Sequence, residues 1–410
     1  MPSTHEPRPR TLRPADRDDT RPGDHDDAEG LRATLPGQRG STLRSRIARL
    51  GGVVQPARVA QPDPGPLSGG RNSAPRAWRA DGGTLGTAGG DERAGRSPGG
   101  PAFDIDVPPS GYAWWYLDAL SDDGRRGLTL IAFLGSVFSP YYAWARRRGA
   151  ANPLEHAAVN VALYGDDGRR WTMTERGAGQ VERSATMLCI GPSRLAWDDR
   201  TGLTVHVEEM NAPWPRRVRG TVRLMSSTVH AETFALDASA RHLWRPIAPR
   251  ARVEVDFGQP SSRWHGNAYF DANHGTRPLE RDFARWHWSR FGTEDGGAAV
   301  LYDVARRDGS RFDLALRFGP NRTDALPFEA PPRAALPSSA WRIARETRSD
   351  RGSVASVAKT LEDGPFYARS LVHARVGGEA VSAMHESLDL DRFTSPWVQA
   401  MLPFRMPRRR

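Results

Sequence analysis

The sequence predicts an all-β protein. From Phe103 onward, short runs rich in β-branched and aromatic residues follow one another closely, and Asp-Gly turn signals separate several of them. Many strands at short spacing with such turns are the pattern of barrels and sandwiches.

In chain order, residues 1–100 come first, crowded with Pro, Gly, Arg and Asp and carrying one tryptophan, Trp78. They show almost no sustained apolar period and are expected to be disordered. Within them Leu43, Ile47, Leu50 and Val54 are spaced like one face of a helix beside Arg44, Arg46 and Arg49, interrupted by Gly51 and Gly52. A membrane-touching helix and a transient helix in a disordered tail both fit that pattern. Strands are expected at 114–120, 128–133, 158–164, 203–209, 218–225, 252–257, 286–291, 298–304 and 312–318, with hairpin connections at 122–124, 166–168, 294–296 and 308–309. The longest apolar run, 128–138, contains Gly and Ser and reads as a buried strand. Nothing approaches the ~20 apolar residues of a membrane span, and the first thirty residues have no signal-peptide core.

At 410 residues with 13 tryptophans, the chain has material for more than one core. The run Trp114-Trp-Tyr-Leu-Asp-Ala-Leu, with its turn and the apolar residues 128–133, is echoed by Trp286-His-Trp-Ser-Arg-Phe with its own turn and the apolar residues 298–302. Duplication and a chance likeness of two tryptophan-led hairpins both account for the echo. Duplication implies two similar β domains meeting near residues 240–249, and the expected division is 1–100 extension, 101–243 first domain, 244–395 second domain, 396–410 basic tail.

The net charge of +10 is almost wholly arginine, since Lys359 is the only lysine. In the extension Arg alternates with Asp and Glu, so no single-sign stripe forms and no nucleic-acid partner is expected. Cys189 stands alone, which excludes a disulfide framework and a cysteine-based metal site and fits a cytoplasmic location. His265, His274 and His287 match no zinc spacing, and neither a phosphate-cradling glycine loop nor a Gly-x-Ser-x-Gly elbow occurs.

The segment Trp264-His-Gly-Asn-Ala-Tyr-Phe-Asp-Ala-Asn-His-Gly275, with His242-Leu-Trp244 shortly before it, carries the chemistry. If 267–271 is a strand, Tyr269 and Asp271 share a face, and the same period aligns His242 with Trp244. A carboxyl among aromatic surface is driven toward its neutral form and suits proton donation, while the rings stabilise a cation. Each residue also has a plainer reading: a turn aspartate, a half-buried strand tyrosine, a junction tryptophan, a satisfied histidine.

The chain resembles the carotenoid 1,2-hydratases, or hydroxyneurosporene synthases, of purple photosynthetic bacteria. The resemblance spans about residues 103–392 and is strongest at Gly111-Tyr-Ala-Trp-Trp-Tyr, His242-Leu-Trp and Gly266-Asn-Ala-Tyr-Phe-Asp-Ala-Asn-His-Gly. It implies two tandem lipocalin-like (calycin) β-barrel domains, no cofactor, and His242, Trp244, Tyr269 and Asp271 as the catalytic group. It further implies an acyclic carotene and water as substrates, with protonation at C2, a tertiary cation at C1 and capture by water. On that reading Asp271 is the acid, Trp244 and Tyr269 face the cation, and His242 orients Asp271 or takes the water's proton. An apolar polyene also implies peripheral membrane contact, for which the apolar-basic stretch 397–410 is a candidate, a plain tail being the alternative. A lipocalin-like protein that binds pigment or lipid without transforming it is the principal rival.

Overall fold

The computed structural model describes residues 99–165, 168–258 and 263–409. The expected disordered extension up to residue 98, with its Leu43 helix, lies outside the described residues, as does part of the 166–168 turn. Among the described residues the chain forms β1 (Tyr112–Ser121), β2 (Gly127–Leu134), α1 (Pro140–Arg148), β3 (Ala157–Tyr164), β4 (Arg170–Arg176), β5 (Val181–Arg183), β6 (Met187–Ile190), β7 (Ser193–Asp198), β8 (Gly202–Met210), β9 (Arg217–Met225), β10 (Phe234–Ala235), β11 (His242–Asp256) and β12 (Arg263–Gly275). It continues with α2 (Leu279–Asp282), β13 (Phe283–Gly292), β14 (Ala298–Arg306), β15 (Arg311–Phe318), β16 (Ala325–Pro327), β17 (Arg333–Leu336), β18 (Arg345–Arg348), β19 (Ser356–Asp363), β20 (Tyr367–Val376), β21 (Glu379–Asp389), α3 (Leu390–Thr394), α4 (Pro396–Met401) and β22 (Arg408–Arg409). The all-β expectation holds and each expected run falls on a strand, although β11 ends one residue short of 257 and the apolar run 128–138 leaves its strand after Leu134.

The strands make two principal sheets. The first has the order β22-β4-β3-β2-β1-β12-β11-β9-β8-β7-β6-β5, with β10 beside β11; the second runs β16-β15-β14-β13-β21-β20-β19, and β17 pairs with β18 apart from both. In the first sheet, period-two alternation divides β1 between two cores. Ala113, Trp115, Leu117 and Ala119 join the interior that this sheet curls around, while Tyr112, Trp114 and Tyr116 face the second sheet. The curl resembles a half-barrel: β4 and β8, far apart in strand order, are joined by the buried Arg176–Glu209 ion pair at 2.8 Å, with Ser193 also donating to Glu209. Gly191 makes room for this link. It sits at φ +59°, and a Cβ there would collide with the Arg176 side chain.

The strand β11 runs through the expected 243/244 domain boundary, and with β12 it belongs to the first sheet. The ten-residue register Tyr112↔Gly275 to Ser121↔Gly266 buries Ala268, Phe270 and Ala272 in the first interior. The change of sheet falls instead between Gly275 and Phe283, around α2. The segment 396–410, read from sequence as a tail, is built in as far as Arg409: Val398, Leu402 and Met406 are buried, Arg405 lies over the Trp171 ring, and β22 pairs with β4. Apolar residues in its short helix and the turn after it find the gap between the sheets.

The tryptophan-led echo meets itself in space. Trp114 faces Trp286 with ring centroids 6.4 Å apart, Tyr116 faces Trp288 at 5.5 Å, and Asp118 is ion-paired with Arg290, 172 residues on. The corresponding central strands β1 and β13 thus bring matching positions together across the space between the sheets. Asp118 and Arg290 are both buried, so removing one leaves an uncompensated charge. Arg290→Met is expected to lower unfolding stability by about 3–5 kcal/mol, and adding Asp118→Leu to recover much of it. Denaturant titration decides this; equal losses in the single and double variants would mean that the pair is not what is being lost.

Candidate active site

Strand β12 carries the central carboxyl. Its odd positions Tyr269, Asp271 and Asn273 turn toward the second sheet while Ala268, Phe270 and Ala272 fill the first interior. Asp271 and the whole Tyr269 side chain are buried. The Tyr269 hydroxyl donates to Asp271 Oδ2 at 2.7 Å, Trp244 Nε1 donates to the same oxygen at 2.8 Å, and Asn273 Nδ2 lies 3.2 Å from Oδ1. Burial pushes the carboxyl up to about 8, with Glu386 and Asp118 adding to the rise; the hydrogen bonds from Tyr269 and Trp244 work against it. At neutral pH Asp271 is therefore largely the neutral acid.

Three of the four residues expected from sequence meet: Trp244, Tyr269 and Asp271. Trp244 and Tyr269 meet Asp271 through N–H and O–H groups, behind the carboxyl, and so do not present their faces to a ligand beside it. His242 does not reach Asp271. Its Nδ1 is 2.9 Å from the Tyr112 hydroxyl and its Nε2 2.8 Å from Asp282, so both ring nitrogens are engaged. Burial lowers its pKa, with the hydrogen bond to Asp282 opposing. A neutral ring that donates from Nε2 and accepts at Nδ1 satisfies both partners.

His242 touches Tyr112, whose ring stacks on Trp114 at 4.9 Å and 17°. Gly275 permits this arrangement, since it is the cross-strand neighbour of both Tyr112 and His242 and a Cβ there would lie 2.6 Å from the Tyr112 ring. Sequence spacing therefore located His242 in the right neighbourhood but on the wrong partner.

Asp271 opens on a cavity between the two sheets, about 1240 Å³ with its mouth included. Trp114, Phe133, Trp286, Trp288 and Tyr302 form an aromatic wall near it; Ile131, Phe138, Phe366, Leu388, Leu402 and Met406 extend the apolar lining. A polar group faces the same space: Tyr116, Glu386, Arg369 and Glu362. Arg369 donates to Glu386 from Nε and Nη2 at 3.0 and 2.7 Å, and the Tyr116 hydroxyl donates to Glu386 at 2.6 Å. From sequence, Trp286 and Trp288 stood out only as part of the tryptophan-led echo, and Glu386, Arg369 and Tyr302 were missed. The only trace of them was the tryptophan-led echo, which locates one wall relative to the other once the sheets are known.

Residues 130–410 match the family described as carotenoid hydratase CrtC. The chain is 52% identical over 391 residues to the acyclic carotenoid 1,2-hydratase of Thiocapsa roseopersicina, covering 95% of each chain. It is 42% identical to the acyclic carotenoid 1,2-hydratase of Cereibacter sphaeroides, 98% of which matches 68% of this chain. Among solved structures, kievitone hydratase from Nectria haematococca overlaps 72% of this chain and 94% of its own at a TM-score of 0.44 and 10% identity. With its two β sheets, an aromatic cavity between them and family matches along most of its length, the chain belongs to the CrtC carotenoid hydratase family.

Proposed function

We propose that this chain adds water across the terminal C1–C2 double bond of an acyclic carotene, with Asp271 as the acid that begins the reaction. The observation that carries the reading is a neutral, buried carboxyl opening on an aromatic cavity. Transfer of its proton to C2 leaves a tertiary cation at C1. Trp114, Trp286, Trp288 and Tyr302 line that space and offer their negative ring faces to the cation. Trp244 and Tyr269 serve the acid: as Asp271 becomes a carboxylate, their two hydrogen bonds become charge-assisted and strengthen. His242 holds Tyr112, and through it the Trp114 face. Water captures the cation at C1 and loses a proton to give the tertiary alcohol. The sequence of steps moves protons and water and transfers no electrons, so no redox cofactor enters the reading.

Membrane contact is part of the same proposal, because the substrate resides in lipid. Leu402, Arg405 and Met406 line the cavity while Met401 and Phe404 beside them, and Trp397 one helical turn earlier, are exposed. Trp144 is exposed next to Arg147 and Arg148 at the end of α1. Aromatic side chains beside arginines suit the interface of an anionic bilayer. Among the described residues no helix is long and apolar enough to cross a membrane.

Asp271→Asn keeps the shape and cannot deliver the proton; incorporation of labelled oxygen from water into lycopene is expected to fall at least about a hundredfold. Near-normal incorporation in a folded variant would remove Asp271 from this role, and tight retention of unaltered carotene by the unaltered protein would favour pigment binding. Since the acid form is the active one, kcat/KM is expected to fall above about pH 8. Tyr269→Phe removes a donor that favours the carboxylate, so the descending limb is expected to move to higher pH; a downward move contradicts the assignment. Trp397→Ser combined with Phe404→Ser is expected to reduce co-sedimentation with phosphatidylglycerol vesicles, and unchanged binding would locate membrane contact elsewhere.

A further inference from the structure

The two halves of the cavity are related by the echo that joins Tyr116 to Trp288. On β12, the strand beside β1, the residue opposite Tyr116 is Asp271; on β21, the strand beside β13, the residue opposite Trp288 is Glu386. Asp271 and Glu386 therefore hold corresponding places on the two sheets, and both line the cavity. Their surroundings are opposite in kind. Asp271 is wrapped in aromatic surface and kept neutral, whereas Glu386 is ion-paired with the buried guanidinium of Arg369.

The hydrogen bonds to Glu386 all converge on one oxygen. Tyr116 and both Arg369 donors bind Oε1, and none of them uses Oε2. The neighbouring Trp288 keeps its buried indole N–H, and Tyr367 its hydroxyl, without a hydrogen-bond partner; both residues line the cavity. A small polar molecule beside Glu386 finds an acceptor in Oε2 and donors in these two groups. Water is the co-substrate with that chemistry.

We infer that Glu386 is the base of the reaction: its Oε2 holds the attacking water and takes the proton that the water releases. The inference rests on the reading of Asp271 as acid. Asp271 gives its proton to C2 and the alkene pair becomes the C2–H bond; the water oxygen donates a lone pair to form the C1–O bond. The resulting oxonium passes one proton to Glu386 Oε2, leaving the tertiary alcohol, an Asp271 carboxylate and a neutral Glu386. Proton exchange with water returns both carboxyls to their starting forms, so atoms and charge balance over the cycle. A carboxylate suffices as the acceptor, because an oxonium is a far stronger acid than a carboxylic acid. Arg369 and Tyr116 position the group.

The test separates proton delivery from water activation by using azide, an anionic nucleophile with no proton to lose. Glu386→Gln is expected to lose labelled-water incorporation by at least about a hundredfold while remaining folded, since Glu362 still pairs with Arg369. Glu386→Ala with added azide is expected to form a 1-azido carotenoid, because Asp271 still generates the cation; Glu386→Asp is expected to recover part of the hydration. Near-normal hydration by Glu386→Gln overturns the inference, as does a folded Glu386→Ala that yields neither alcohol nor azide adduct. If Glu386→Ala does not fold, azide is added to Glu386→Gln, and absence of the adduct there overturns the inference in the same way. An azide adduct from Asp271→Asn would remove Asp271 as the acid and leave the Glu386 result to stand on its own variants.

Discussion

Desolvation of one carboxyl is the constraint to which the rest of the molecule answers. Raising Asp271 from the usual carboxylate range to about 8 corresponds to roughly 6 kcal/mol of preference for the neutral form. One sheet cannot provide that, because an open sheet leaves its outer face to water. The second sheet, the short helices after it and the segment ending in β22 close the space over Asp271. Tyr269 and Trp244 moderate the same shift, since they favour the charged form. The acid is kept protonated by its surroundings and is steadied by two specific donors once it has reacted.

Burying a carboxyl would be costly if every neighbour were apolar. The structure assigns polarity unevenly across the cavity. The Asp271 end is aromatic apart from its own hydrogen bonds, while on the facing sheet Arg369 pairs with Glu362 and Glu386 and reaches across to Tyr164 of β3. The Asp118–Arg290 pair sits beside both ends, and the Tyr116 hydroxyl, with one hydrogen to give, lies 2.9 Å from Asp118 and 2.6 Å from Glu386. Two carboxyl groups in one cavity thereby have opposite surroundings, apolar burial on one side and an ion pair on the other.

Much of this was legible in the sequence, for reasons that differ from residue to residue. Alternating β-branched and aromatic runs located the strands, because period-two burial is a local property. Asp271, Tyr269 and Trp244 were recognisable because they lie in two short motifs on strands that happen to be adjacent. The partner of His242 was not, since Asp282 and Tyr112 approach from α2 and β1. Nor was the sheet boundary, as nothing local in β12 says that its ladder partner is β1. Glu386 looked like an ordinary strand glutamate; its significance comes only from the residues that β13 and β20 place against it.

The ladder between β1 and β12 has a consequence for how the molecule is made. It joins Tyr112 to Gly275, so the strand bearing Asp271 cannot take its place until the chain through Gly275 has been synthesised. Contacts of such sequence separation form slowly, and until they form the aromatic faces of β1 and β2 have no cover. The second sheet, which hides those faces, comes later still in the chain. The nascent chain thus carries an exposed strip of tryptophan and tyrosine through much of its synthesis, a period in which it is open to aggregation.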